Sequence, residues 1–256
     1  MKQLLDDVDL AIDLDRRFGG LARLYGAEGL ARLRASRVAV VGLGGVGSWV
    51  AEACARSGIG ALTLIDLDHV AESNINRQIH ALDSTLGAAK VVAMASRVHD
   101  INPQCVVEAV EEFVEAGNVA TLIPPGRFDF VIDAIDHVRA KTALIAHCHA
   151  QKTPLVTIGG AGGRTDVSRI RVADLAHTEH EAMLAKVRKA LRTHHDFPRN
   201  VKRTFGVNAV YSDQRAGERT GMTGLNCAGF GSSVVVTATF GFVAAGLLVD
   251  RLARGQ

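Results

Sequence analysis

The chain carries almost no net charge: 29 lysines and arginines face 27 aspartates and glutamates, leaving a formal +2 over 256 residues. Any attraction for nucleic acid must therefore come from a local cluster and not from the whole surface. Four cysteines, Cys54, Cys105, Cys148 and Cys227, stand far apart, and none belongs to a C-x-x-C pair. That excludes the usual zinc clamp and the dithiol exchange motif, and it fits a reducing cytoplasm. No internal repeat, low-complexity tract or long Pro/Gly/Ser linker divides the sequence, so one continuous unit is expected. The opening MKQLLDDVDLAIDLDRRF interrupts every apolar run with acids, so neither a signal peptide nor a transit peptide is expected there.

What is present is apolar residue in quantity. At 48% hydrophobic content the chain can bury a sizeable core. From Thr220 to Val249 no residue is charged, and SSVVVTATFGFVAAGLLV approaches the roughly 20 apolar residues that span a bilayer. Its Ser, Thr and Gly content and the pattern before it favour a helix buried against a sheet, with membrane anchoring as the alternative.

That pattern is an alternation. SRVAVVGLG is an apolar β-branched strand ending in glycines, and VGSWVAEACARSG after it has helical periodicity, stopped at Gly58. Further strands are expected over 61–65, 106–109, 128–134 and 154–158, with helices over 91–99 and 140–150. Parallel crossovers need helix-sized connections, so the fold class is α/β: a Rossmann-like, mostly parallel sheet covered by helices. Residues 1–36 read as an N-terminal helical arm, 37–163 as a nucleotide-binding core, 174–220 as a small peripheral basic lobe and 221–256 as an apolar C-terminal segment. A strand over 168–172 and a helix over 179–191 are expected around the lobe.

Gly42, Gly44 and Gly47 form G-x-G-x-x-G between the first strand and its helix, with Gly45 inside the motif. Glycine there permits the tight turn and lets phosphate reach the backbone at a helix N-terminus. Asp66 ends the next strand, where a carboxylate can accept both ribose hydroxyls, and Asp68 follows on the same side. A nucleotide site is expected; NAD and ATP are both compatible with it at this level.

The ordered series RRFGG, GLGGVGS, DLDHVAESNINRQ, GAAK and DAIDHVRAK resembles the ubiquitin-activating-type superfamily, which includes the adenylating enzymes of thiamine and molybdopterin synthesis. Within it, RFGGLARLYG, SNINRQIHAL and AGFGSSVVVTATFGFVAAGLL are most similar to the bacterial tRNA threonylcarbamoyladenosine dehydratases. The resemblance implies an enzyme that spends ATP to activate the carboxylate of a threonylcarbamoyl group on tRNA adenosine, so that it closes into a ring with loss of water. It implies that Arg77 and Lys90 contact phosphates, that Asp136 binds Mg²⁺ and that Asn74 lies close to the phosphates. Arg17 matches an arginine that a second subunit inserts into the site, which implies a homodimer. Charge logic agrees, because moving a carboxylate oxygen onto phosphorus requires cations around phosphate and a carboxylate-held metal ion.

Isolated, each residue has a plainer reading: Asp133 as a helix cap, Lys141 as a solvated helix residue, Arg77 as a partner of a surface acid. The thiamine and molybdopterin relatives usually carry zinc-binding cysteine pairs; this sequence has none, so zinc is not expected. Cys227 is the one cysteine considered for acyl transfer, against a role as a small buried hydrophobe. Between Lys186 and Arg203 seven lysines and arginines stand against the single acid Asp196, a cluster that can track a phosphate backbone. Two other functions stay open: activation of the C-terminal carboxylate of a ubiquitin-like or sulfur-carrier protein, and an NAD-binding module. The sequence names no sulfur-transfer or redox partner.

Overall fold

A computed structural model describes residues 12–217 and 230–256. Its centre is a seven-stranded sheet in the order β3-β2-β1-β4-β5-β7-β6. The strands are β1 (Arg37–Val41), β2 (Ala61–Ile65), β3 (Val106–Val110), β4 (Phe130–Asp133), β5 (Leu155–Ile158), β6 (Ile170–Asp174) and β7 (Asn208–Ser212). All neighbours pair in parallel except β6 and β7, which close that edge antiparallel. The helices are α1 (Leu14–Ala35, broken at Gly26), α2 (Gly47–Arg56), α3 (Lys90–Ile101), α4 (Val119–Leu122), α5 (Val138–Ala150), α6 (Ala182–His194) and α7 (Val234–Arg254).

Both faces of the sheet are covered, which is why the inner strands read as continuous apolar runs and not as alternations. Val38 and Val40 of β1 pack with Leu62, Leu64 and Ile132 into one cluster with α2, α3 and α7. Ala39 and Val41 point the other way, into a second cluster with Val131 and with Leu144 and Cys148 of α5. A third cluster joins Leu184, Val187 and Leu191, one face of α6, to Phe197, Phe205 and Tyr211.

The uncharged C-terminal stretch contributes α7, which packs on α1 and α2. Val236, Phe240, Ala244 and Leu248 are buried along one side, so this helix supplies core. By length and composition it could also cross a membrane, and half of its apolar window is buried inside the protein.

The strand expected over 168–172 lies two residues later as β6, and the helix expected over 179–191 lies at Ala182–His194. The stretch 174–220, read as peripheral, also supplies β7, which sits inside the sheet between β5 and β6. Five residues, NAVYS, separated from α6 by a polar stretch, give periodicity too little to act on. Cys227 lies outside the described residues.

Candidate active site

β1 and β4 are neighbours whose following helices cover opposite faces, so a crevice opens beyond their C-terminal ends, the place where open α/β sheets bind ligands. β1 runs into the glycine motif there, and β4 into Asp136. Gly42 has φ +89°, and an added Cβ would lie 2.9 Å from the Ala134 carbonyl oxygen. A Cβ on Gly47 would collide with the Gly42 carbonyl oxygen at 1.7 Å. Only glycine allows this turn, which brings the start of α2 up to the crevice. The crevice holds a cavity of about 800 Å³, lined among others by Gly44, Gly45, Asp66, Arg77, Lys90 and Asp136. That is within the size range of small-molecule sites.

The acids divide the work. Asp66 is buried; its Oδ2 accepts the Leu43 N–H at 2.6 Å and its Oδ1 accepts the Asp68 N–H at 2.8 Å. Its carboxylate thus fixes the glycine loop against β2. Burial raises the Asp66 carboxyl above its ordinary value, opposed by the charge of Lys90. Lys90, only 5% exposed, donates from Nζ to Asp68 Oδ2 at 2.8 Å. Asp136 is exposed to the cavity and has no hydrogen bond or ion pair among the described residues.

Arg77 reaches the cavity from the loop after β2, where its Nη1 donates to the Ser73 carbonyl and to Asn76 Oδ1. Asn74 is buried and braces that loop: its Oδ1 accepts the Ala71 N–H at 3.1 Å, and its carbonyl accepts the N–H groups of Arg77 and Gln78. The indole of Trp49 on α2 donates to the Arg77 carbonyl at 2.9 Å. Arg17 lies elsewhere. In its own chain it donates to the carbonyls of Ile101 (2.8 Å) and Asp100 (3.3 Å), at the C-terminal end of α3, and does not line the cavity.

Asp133 and Lys141 are neither a cap nor a solvated pair. Both side chains are fully buried, with Nζ 2.9 Å from Asp133 Oδ2, and Thr157 donates to the same oxygen at 2.7 Å. Burial raises the Asp133 carboxyl, against the lowering effect of Lys141 and Thr157. The pair lies beneath the turn that carries Asp136 and does not itself line the cavity.

Sequence reasoning passed over Arg139, Gln78, Thr237 and the glycines of 159–162, all of which line the same cavity. Arg139 had a signal: it stands three residues after Asp136 in the first turn of α5. Thr237 had none, because α7 is distant in sequence. The described cysteines are buried, and burial pushes the thiols of Cys54, Cys105 and Cys148 up to about 12, about 11 and about 12. None of these three can serve as a thiolate nucleophile near neutrality.

His80 supplies a stability test. It is 2% exposed, neither ring nitrogen has a hydrogen-bond partner, and burial, with Lys90 and Arg97 adding, lowers its pKa to about 4. Unfolded, the imidazole takes a proton near pH 6.5. Between those values the unfolded chain binds the extra proton, so stability falls as pH falls. Relative to His80→Gln, wild type should lose about 2 kcal/mol between pH 7 and pH 5, read by denaturant titration. Parallel stability profiles would show that the folded imidazole takes its proton as readily as the unfolded one.

Sheet order, glycine turn and cation-lined crevice together define a nucleotide-binding α/β protein. The chain belongs to the ThiF family, whose model matches residues 16–252. It is 47% identical over 248 residues to the tRNA threonylcarbamoyladenosine dehydratase of Haemophilus influenzae, covering 94% of each chain. Crystal structures of the E. coli tRNA N6-threonylcarbamoyladenosine dehydratase in complex with ATP and with AMP superpose with TM-scores of 0.87 and 0.88. Both are at 47% identity and cover 94% of this chain and 95% of the other.

Proposed function

We propose that this protein is an ATP-dependent dehydratase that cyclises the threonylcarbamoyl group of N6-threonylcarbamoyladenosine in the tRNA anticodon loop through an acyl-adenylate. The observation that carries the reading is one cavity shared by the glycine turn, Arg77, Lys90 and an uncommitted Asp136, in a chain nearly half identical to dehydratases of that name.

The substrate carboxylate attacks the α-phosphorus of ATP, and pyrophosphate leaves. An internal nucleophile of the threonylcarbamoyl group then attacks the activated carbonyl and expels AMP, which carries away the oxygen formally lost as water. Backbone N–H groups at the start of α2 hold phosphate, and Arg77 and Lys90 offset the charge that develops on it. Lys90 is held ready by Asp68, and Asp66 keeps the loop in register for the nucleoside.

Asp136 fits a magnesium site of the kind completed by substrate phosphates. Among the described residues no three His, Cys, Asp or Glu side chains converge into a protein-only cage, and Mg²⁺ is commonly held by one or two carboxylates plus phosphate oxygens. When bound, the ion would neutralise charge on the departing pyrophosphate. Arg17 belongs to the partner's site in a homodimer, and the exposed Lys202 and Arg203 add to the surface that meets tRNA. The setting is cytoplasmic.

Calorimetric titration should give ATP binding that strengthens with Mg²⁺ and no comparable NAD binding, because Arg77, Lys90 and Asp136 suit a triphosphate with its metal ion. tRNA from a deletion strain should lack the cyclic nucleoside by mass spectrometry, and this gene should restore it. Tight NAD binding without a response to ATP, or an unchanged nucleoside profile, would reject the reading.

A further inference from the structure

Helix α6 begins at the active cavity and ends away from it. Met183, in its first turn, lines the cavity together with Gly159–Gly162. The preceding Glu181 locks that end: its Oε1 accepts the Gly160 N–H at 3.3 Å, while its Oε2 caps the Leu184 N–H. One face of α6 is buried by Leu184, Val187 and Leu191, so the helix cannot rotate without losing the third core cluster. Its outer surface forms a second concavity, of about 560 Å³, lined by Ala185, Arg188, Lys189, Arg192, Thr193 and Arg199.

Among the described residues, four cations and no acid line that concavity. Arg188 and Arg192 are constrained and not merely solvated. Arg188 donates to Thr178 Oγ1, and Arg192 donates from Nε to the Pro198 carbonyl at 3.1 Å and lies over the Phe205 ring at 5.1 Å. Arg192 Nη2 is buried with no hydrogen-bond partner. Burial and the neighbouring charge of Arg192 both lower the pKa of Arg188, with Glu181 and Tyr211 acting the other way. Two arginines fixed side by side, with the exposed Lys189 and Arg199 beside them, are arranged for an anion with several acceptor oxygens.

We infer that the concavity of Arg188, Lys189, Arg192 and Arg199 binds a backbone phosphate of the substrate RNA and that α6 sets its distance from the reacting nucleoside. From Met183 to Arg192 the helix rises about 14 Å, a length bridged by a few nucleotides. The inference rests on the RNA reading above and adds a register to it: one phosphate close to the reacting base in sequence is held by the same rigid helix that walls the cavity.

The test uses the full chain and fluorescent single-stranded RNAs of increasing length, with the sequence of an anticodon loop, read by anisotropy. Wild-type affinity should step up, by roughly tenfold, once the RNA is long enough to reach from cavity to concavity. Lys189→Gln/Arg199→Gln, both at exposed positions, should abolish the step and reduce the slope of log affinity against log salt by about 0.7, the value for one phosphate contact. ATP affinity within twofold of wild type verifies the fold. Arg192→Lys, which keeps the charge and removes the planar fork, should keep most of the salt slope and lose part of the step. A variant with wild-type affinity at every length overturns the inference. Binding is read without turnover, so a wild type that binds RNA with the step yet forms no cyclic nucleoside would reject the proposed reaction and leave the register standing.

Discussion

Asp136→Ala should fold and unfold like wild type yet lose at least about 100-fold in magnesium-dependent turnover. The expectation follows from what the side chain does not do. Asp136 is exposed and makes no hydrogen bond or ion pair among the described residues, so its removal takes no contact from the fold. The buried Asp133–Lys141 pair, which shapes the same turn, stays intact. Turnover with tRNA and saturating ATP, measured across a magnesium titration, checks this, with circular dichroism as the fold control. A variant within a few-fold of wild type at every magnesium concentration would remove Asp136 from the site. Asp136→Asn separates charge from shape: it should behave like the alanine variant, because a neutral amide is a poor ligand for a hard cation.

Arg17→Ala should lower turnover by about a thousandfold, the low end of what an arginine supplied to a phosphate transition state contributes. Equal mixing with Asp136→Ala subunits should then restore about a quarter of wild-type activity, since half of the random dimers are mixed and each has one intact composite site. Arg17 does not line its own chain's cavity, which is what a residue serving a neighbour requires. It does hold the last carbonyls of α3, so a purely local role would show as lower stability of the single variant with no rescue on mixing. Absence of recovery, with mixed dimers demonstrated by differential tagging, would place Arg17 in that local role.

The fold was largely legible where a segment's neighbours in sequence are also its neighbours in space. The strand read in SRVAVVGLG and the strand expected over 61–65 lie at β1 and β2, because a short apolar run bordered by glycine has one reading. β7 was not legible: it pairs in parallel with β5 some fifty residues earlier in the chain, and its own five residues carry too little pattern. The site divides in the same way. Gly42, Gly47, Asp66, Lys90 and Asp136 sit at strand ends or helix starts, where position implies orientation. Thr237 enters the cavity only through the packing of α7 on α2, which no local pattern encodes. Sequence left Asp133 and Lys141 open between a role in the site and the ordinary fates of such residues, capping and solvation. Only the three-dimensional closure over β4 reveals that both side chains are sealed from water.

Trp49 is the only tryptophan in the chain. Its indole joins the backbone of Arg77 on one side and meets the edge of Phe242 on the other, with ring centroids 5.7 Å apart. The protein therefore has a built-in optical probe at one defined place, selected from its two tyrosines by excitation at the red edge of the indole band. Whatever shifts the Arg77 loop changes the hydrogen bond of the excited indole. A ligand that shifts the Arg77 loop can accordingly be followed by intrinsic emission in stopped flow, without labels.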